Sequence, residues 1–440
     1  MRKELADGVI LPSQAAEQAL ARANQNQGGN TYLWQDPAWT RAEAARAEAI
    51  PRGTGGEFGD GRAPLWGIPV SVKDCFDLAG SPTSMGTRFY RDLNGPAKCD
   101  SWLVERLRAA GAVIMGKTHL HALAYGITGE NPEFGDCIQP GRPGALTGGS
   151  SSGAAASAME GSALAAIGTD TGGSVRVPAA LCGLAGYRST LGCGDWRGGA
   201  HLAVSFDTMG WLFRDLRDAP LLEMPFAESS EQRLATDAQA FKRFAYIGDS
   251  FLYDCQPKVA EGFRGVIREL ESLGLESCGI EPAWWTEAVE IFSPLQASEA
   301  AEVHAGLFEH FEAPIRDRLK WGASLSATEH GQLRRRHAEF RGRMDQLFAE
   351  HELILLPCAP VARLEAGADH SQTRPLLLRY TAPFSLAGVP AVTIPCAHGG
   401  VQMAAARSSD GPLLRLAAQI GAQRRRSGQK GDTGKPSLLP

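Results

Sequence analysis

Two glycine-rich segments with central serines carry the residue types that acyl-transfer chemistry uses. Residues 148–153 read GGSSSG, and residues 168–178 read GTDTGGSVRVP. A serine becomes a nucleophile when a base accepts its proton, so Ser174 is a candidate nucleophile. Glycine lacks Cβ, which lets backbone N–H groups approach a ligand closely, as an oxyanion hole requires. The candidate oxyanion donors are the successive amides of Thr171, Gly172, Gly173 and Ser174.

The base that would activate this serine is not obvious from local pattern. Ser174 is not in a G-x-S-x-G elbow, so a Ser-His-Asp arrangement lacks its usual local signature. His119 and His121 are most simply interpreted as structural or surface residues. Lys73 ends the strand-like run of residues 67–73 (GIPVSVK) and is the alternative base, because burial lowers the pKa of a lysine. The pattern alone gives equal support to a buried lysine base and to an exposed surface lysine.

A third motif matches a nucleotide-binding loop in letters only. Residues 111–118 read GAVIMGKT, which satisfies G-x-x-x-x-G-K-[ST]. A phosphate cradle needs a flexible loop between a strand and a helix, whereas here a predicted helix precedes and the four middle residues form a strand. The pattern therefore does not indicate a nucleotide site.

The elements that must position these residues alternate between helical and extended patterns. Two helices are predicted over residues 11–48, with Ser13 as one cap and Thr40 with Glu43 as a capping box. Residues 65–77 and 112–115 have strand character, and a helix over 100–110 separates them. Further helices are predicted at 257–274, 296–350 and 413–422, with buried strands at 353–356 and 391–394. Such alternation is typical of an α/β sheet.

Composition excludes several classes of protein. The chain has 440 residues, 43% of them hydrophobic and 21% charged, with a net charge of −5, so it lacks the basic field that attracts a nucleic acid backbone. The nine cysteines are scattered and form no C-x-x-C pair, which indicates reduced thiols in the cytoplasm. No signal peptide pattern and no apolar run of about 18 residues is present, so a membrane span is not expected.

Taken together, these segments resemble the amidase signature family of serine amidohydrolases. The resemblance rests on the strand of residues 67–74, the two glycine-serine segments, residues 205–210 (SFDTMG) and residues 383–390 (PFSLAGVP). It extends over nearly the whole chain. The motif wording is closest to the indole-3-acetamide hydrolase branch.

The resemblance implies a Ser-cisSer-Lys triad that forms an acyl-enzyme. Ser174 would be the nucleophile, Ser150 the bridging serine after a cis peptide bond at Gly149, and Lys73 the neutral base. Asp170 and Arg176 would hold the loop. The chain departs from the family pattern outside the triad, at Thr147, Ser152, Gln139 and residues 188–190 (RST). By family position, residues 124–128 should line the acyl pocket. Candidate substrate-binding residues are Ala124, Gly126, Thr128 and Gly149.

The fold implied is one α/β domain with a large mixed sheet covered by helices on both faces (α/β/α). We expect the amidase domain over residues 1–423, made of N-terminal helices (1–50), a signature core (about 65–215), a helix-rich segment (about 255–350) and a return to the sheet (351–423). Residues 424–440 are predicted to be a disordered tail. We expect the protein to be a monomer or homodimer. We expect it to bind no metal, cofactor, nucleic acid or membrane.

Three functions are compatible with these observations. The first is a stand-alone amidohydrolase acting on a small-molecule amide, with small Ala124 and Gly126 leaving room for an aryl or indole acetamide. The second is the A subunit of a glutamyl-tRNA amidotransferase, which shares the motifs and works in a complex. The third is an inactive binding module, against which the intact Lys73, Ser150 and Ser174 argue.

Overall fold

The structure, a computed structural model, describes residues 1–50, 63–223, 226 and 241–428. Residues 51–63 are glycine-rich and predict a loop, and all of them except residue 63 lie outside the described residues. The last twelve residues of the predicted tail, 429–440, lie outside them too. No helix in the described ranges is both long and apolar enough to cross a membrane.

One mixed sheet of 11 strands organises the described chain. Its order is β1-β3-β2-β4-β6-β5-β10-β11-β9-β7-β8. The strands are β1 (Tyr32–Trp34), β2 (Pro69–Lys73), β3 (Val113–Thr118), β4 (Ala165–Asp170), β5 (Ala185–Arg188), β6 (Thr208–Phe213), β7 (Arg243–Ile247), β8 (Glu276–Ile280), β9 (Leu353–Pro357), β10 (Ala391–Cys396) and β11 (Gly399–Ala405). β2 runs parallel to both β3 and β4, while β4, β6, β5, β10, β11 and β9 pair antiparallel in turn.

Helices connect these strands and cover the sheet. The α-helices are α1 (Arg2–Ala6), α2 (Pro12–Gln25), α3 (Pro37–Glu48), α4 (Arg88–Asn94), α5 (Trp102–Ala109), α6 (Ser152–Glu160), α7 (Arg176–Cys182), α8 (Pro257–Ser272), α9 (Ala288–Val303), α10 (Ala313–Ala323), α11 (Ala327–Glu350), α12 (Thr373–Ala387) and α13 (Asp410–Arg426). Every residue of β2, β3, β4, β5, β6 and β9 is buried. Because successive strand side chains point to opposite faces, both faces of the central sheet are covered, which confirms the α/β/α prediction.

The small-residue segment after residue 147 forms core as well as loops. In α6, Ala154, Ala155 and Ala158 pack against Ala166 of β4 and Val175. Small side chains let this helix approach the sheet closely, so the glycine and alanine content also serves packing.

Helix ends differ from the sequence predictions at both termini of the chain. The first long helix begins after Leu11 rather than at a Ser13 cap, and α3 is capped by Asp36, whose side chain accepts from the amides of residues 38 and 39. α13 continues through Arg426, so the predicted tail does not start at residue 424. Arg424 donates to Glu269 Oε1 at 2.8 Å and to the carbonyl of Pro395 at 2.8 Å, which fixes this last turn.

Candidate active site

Lys73 lies at the carboxyl end of β2, fully buried. β2 pairs in parallel with β4 through Val72 and Ile167, so the carboxyl ends of both strands meet at one edge of the sheet. There, Lys73 Nζ donates to Ser150 Oγ at 2.7 Å and to Thr169 Oγ1 at 2.7 Å. Burial lowers the pKa of Lys73 to about 8, because removal from water disfavours the ammonium form. Of the two alternatives left open by the sequence, the buried lysine is the one observed.

Ser150 lies between the lysine and the second glycine-rich loop. The peptide bond between Gly149 and Ser150 is cis, in agreement with the expectation from the resemblance. The carbonyl of Ser150 accepts from the amide of His121 at 3.2 Å. Ser150 leads directly into α6, whose N-terminus begins at Ser152. The Ser150 hydroxyl is therefore held between a strand end and a helix start.

Ser174 follows β4 on the loop that leads to α7. Its side chain is 5% exposed and borders a narrow, partly open pocket. Its carbonyl accepts from the amide of Ser151 at 3.3 Å. Within the described ranges, the Ser174 hydroxyl forms no hydrogen bond with Ser150. Lys73 is thus hydrogen-bonded to Ser150, whereas Ser150 is not hydrogen-bonded to the Ser174 hydroxyl in this conformation.

The loop that carries Ser174 is held by the carboxylate of Asp170. That carboxylate accepts from the amides of Gly173 (2.8 Å) and Val175 (3.1 Å), and from the guanidinium groups of Arg176 (2.8 Å) and Arg188 (2.9 Å). Burial by itself raises the pKa of Asp170, but Arg176 and Arg188 outweigh it and hold the pKa well below its usual value. This network supports a loop-holding role for Asp170 and Arg176. Arg188, one of the departures from the family pattern, completes it.

The candidate oxyanion amides are not equivalent. The Gly173 N–H is already donated to Asp170, so it is not free for an oxyanion in this conformation. In the described part of the chain, the N–H groups of Thr171, Gly172 and Ser174 donate to no acceptor. Gly172 and Ser174 both border the pocket. A Cβ on Gly173, whose φ is +119°, would lie 2.8 Å from Thr381, so only glycine suits this turn.

The two histidines near the site have different environments. His119 Nε2 lies 2.8 Å from the Gly135 carbonyl, and its Nδ1 lies 3.1 Å from Oγ of Ser152. Burial lowers the pKa of His119 to about 4, so it is a neutral structural residue, as expected. Ser152, which departs from the family pattern, also lies 3.3 Å from the Ser150 carbonyl. His121 differs from the expectation of a satisfied residue, because its buried Nδ1 has no hydrogen-bond partner among the described residues.

The pocket beside Ser174 combines predicted and unpredicted residues. Of the candidate substrate-binding residues, Ala124 and Gly126 line it, while Thr128 and Gly149 do not. The Thr128 hydroxyl instead donates to Glu130 at 2.6 Å, and the Gly149 amide donates to the carbonyl of Ile127 at 2.8 Å. Tyr125 and Ile127, which belong to the segment predicted to line the pocket, line it as well. The sequence interpretation missed the lining side chains that come from distant parts of the chain: Gln296, Arg374 and Leu378.

The lysine of the loop-like motif has a structural role. Residues 113–118 form β3, and Lys117 within that strand is buried. Its Nζ lies 2.6 Å from Asp74 Oδ1 and donates to Thr83 Oγ1 at 3.0 Å. A strand with a buried, ion-paired lysine offers no phosphate cradle, which agrees with the sequence interpretation. The described residues also contain no group of three or more His, Cys, Asp or Glu side chains arranged to hold a metal ion.

Comparison with known proteins identifies the family. The Amidase family profile matches residues 14–414. The A subunit of glutamyl-tRNA(Gln) amidotransferase from Bordetella avium (strain 197N) is 30% identical, over 95% of this chain and 93% of the relative. Indoleacetamide hydrolase of Pseudomonas savastanoi is 30% identical, over 90% of this chain and 88% of the relative.

Solved structures agree with the sequence relatives. A crystal structure of an amidase superposes with a TM-score of 0.84 at 29% identity, covering 96% of this chain and 98% of the other. The shared architecture includes the large mixed sheet, in which β2 ends at Lys73 and β4 leads into the loop that carries Ser174. The family match, the fold and the buried serine-lysine arrangement agree, so this chain belongs to the amidase signature family and is a hydrolase of amide C–N bonds.

Proposed function

We propose that this enzyme hydrolyses a small carboxylic acid amide to the acid and ammonia, or an amine, through a covalent acyl-enzyme on Ser174. The observation that carries the proposal is the 2.7 Å contact between Nζ of the fully buried Lys73 and Oγ of Ser150. A lysine with a pKa of about 8 is neutral in a useful fraction of molecules near neutral pH and can accept a proton.

The first half of the reaction forms the acyl-enzyme. Ser150 passes its proton to Lys73 and takes the proton of Ser174, whose Oγ attacks the amide carbonyl carbon. The tetrahedral oxyanion is stabilised by the free amides at positions 172 and 174, which border the pocket, together with that of Thr171. The C–N bond then breaks as Lys73 returns the proton, through Ser150, to the leaving nitrogen.

The second half releases the acid. Water enters the site vacated by the amine and loses a proton through the same relay, and the resulting hydroxide attacks the ester carbonyl of Ser174. The ester bond breaks, and Ser174 regains its proton. The balanced reaction is amide plus water to carboxylic acid plus ammonia or amine. Every group in this scheme is supplied by the chain, so no metal or organic cofactor takes part.

A panel of amides tests the mechanism. Ammonia release from indole-3-acetamide, phenylacetamide, benzamide, a fatty amide and glutamine is compared in wild type, Ser174→Ala and Lys73→Ala. The exposed Ser371→Ala is the matched control. We expect activity in wild type and the control, and loss in the two site variants. Hydrolysis retained by Ser174→Ala would refute the nucleophile assignment. A covalent adduct on Ser174, detected by mass spectrometry after acid quench, distinguishes an acyl-enzyme from direct attack by water.

The comparisons favour two substrate types that the panel separates. Aryl and indole acetamides follow from the indoleacetamide hydrolase relative, and glutamine follows from the amidotransferase relative. Glutamine hydrolysis that requires partner subunits would favour the amidotransferase function. Activity of the isolated chain on another amide would favour a stand-alone monomeric or homodimeric enzyme. We also infer a cytoplasmic protein, which is supported by nine free cysteines.

A further inference from the structure

Two arginines beside the pocket lack the counter-ions that partly buried cations usually have. Arg374 of α12 lines the pocket together with Ser174 and Tyr125. Arg318 of α10 stacks on Tyr125, with its Cζ 4.3 Å from the ring centroid, and the Cζ of Arg374 is 6.0 Å from the same centroid. Among the described residues, neither guanidinium forms an ion pair with a carboxylate.

The hydrogen bonds of both guanidinium groups are also incomplete. Arg318 Nε donates to the carbonyl of Pro314 at 2.9 Å, whereas its Nη1 is buried and has no partner in the described ranges. Arg374 Nη2 makes only a long contact of 3.5 Å with Oε1 of Gln296. Each guanidinium carries five N–H donors, and a buried donor that makes no hydrogen bond costs free energy. Stacking on Tyr125 uses the flat face of Arg318 and leaves its N–H edges available.

The electrostatics of the two arginine side chains also favour an anion in the pocket. Burial, and after it the charge of the neighbouring Arg374, lowers the pKa of Arg318 to about 10, and burial also lowers the pKa of Arg374. Glu312 is near enough to favour the charged form of Arg318, but among the described residues no ion pair joins the two. No acidic side chain is among the residues that line the pocket. The pocket therefore presents positive charge that an anion can complete.

We propose that the acyl part of the substrate carries a carboxylate, which binds Arg374 and Arg318 while its amide carbonyl lies at Ser174. The substrate class is the monoamide of a short dicarboxylic acid. A planar carboxylate accepts bidentate hydrogen bonds from a guanidinium, which suits the free N–H edges described above. Glutamine fits less well, because its α-ammonium would have no acidic partner in the lining. This inference rests on the proposed amide hydrolysis.

The test uses pairs of amides with the same shape and different charge. Succinamate and succinamide differ in one terminal group, as do malonamate and malonamide, or glutaramate and glutaramide. In wild type, we expect kcat/KM to be higher for the anionic member of at least one pair. Arg374→Gln and Arg318→Gln should each lower kcat/KM for that member by about 10- to 100-fold, mainly through KM, and leave the diamide nearly unchanged. Arg374→Lys, which keeps the charge, should retain part of the preference.

Arg316→Gln on the same helix is the matched control, because Arg316 makes only long contacts of 3.9 and 3.8 Å with Glu309 and Asp317. We expect it to behave as wild type. Equal hydrolysis of both members of every pair, equal losses for both in the arginine variants, or faster hydrolysis of neutral aryl acetamides than of any monoamide would overturn the carboxylate assignment. If Ser174→Ala then still abolishes hydrolysis, the proposed function stands without it.

A binding measurement covers the case in which wild type hydrolyses none of these amides. Calorimetry with Ser174→Ala, which cannot form the acyl-enzyme, is performed with the three monoamides and their diamides. Binding of a monoamide alone, lost when Arg374→Gln is added, would support the carboxylate site even if the proposed hydrolysis fails. Absence of monoamide binding, or equal binding of the diamide, would overturn it.

Discussion

Replacing Lys73 by methionine separates the proposed catalytic role of this residue from its effect on stability. Methionine has a similar length and no charge, and Lys73 is 0% exposed. The change removes the proposed proton acceptor of the relay, so amide hydrolysis should fall by at least about 100-fold. The same change removes a buried group that costs free energy to hold in its charged form. Activity and stability should therefore respond in different ways to pH.

The size of the stability effect follows from proton linkage. The ordinary pKa of lysine is 10.5, and that of Lys73 in the folded chain is about 8. Between these values the unfolded chain binds more protons than the folded chain, so wild-type stability rises with pH through this interval. Below this interval, the buried lysine lowers the stability by its full cost of about 3 kcal/mol. From pH 7 to pH 9, the gain is about 1.4 kcal/mol. Lys73→Met lacks this gain.

The assay is urea unfolding of wild type and Lys73→Met at pH 7 and pH 9. We expect the difference in unfolding free energy between the two proteins to change by about 1.4 kcal/mol in favour of wild type on going to pH 9. Other titrating groups cancel because both proteins carry them. The control is Lys320→Met, whose lysine is 52% exposed. A difference that stays constant with pH would refute the reasoning that Lys73 has a lowered pKa in the folded protein.

Three further predictions follow from the same geometry. In wild type, log kcat/KM should rise with unit slope in acid and level off near pH 8, the pKa of Lys73; a profile that is flat between pH 6 and 8 would contradict a lysine base. Gly173→Ala places a Cβ 2.8 Å from Thr381 at positive φ, so it should lower activity by more than about tenfold and stability by about 1–3 kcal/mol. Gly342→Ala is the control, because a Cβ there has nothing within 4 Å; it should raise stability in thermal unfolding by up to about 1 kcal/mol. Asp170→Asn leaves Arg176 and Arg188 buried without their shared carboxylate and should cost about 3–5 kcal/mol in urea unfolding; an unchanged midpoint would show that the loop does not depend on this ion pair.

Local patterns predicted several elements, because their signals are short-range, but they did not predict the central strands β4, β5 and β6. The extended runs that became β2, β9 and β10 are apolar over a few residues, and the helix that ends before Gly111 has a glycine with φ of +84° after it, as a C-terminal cap predicts. Caps were predicted less well. Thr40 with Glu43 satisfies the capping pattern, yet the helix starts one turn earlier at Pro37, because the side chain of Asp36 caps its first amides.

The sequence by itself determined which groups are proposed to react, since the glycine-serine segments and Lys73 carry the family resemblance. Tertiary structure decided what those groups can do. The pKa of Lys73 depends on complete burial at the end of β2, next to Thr169 of a strand 96 residues away. The positive charge beside the pocket comes from Arg318 and Arg374, which show no local motif and meet only because α10 and α12 both reach Tyr125. Desolvation and charge pairing are sums over neighbours in space, so no pattern along the chain contains them.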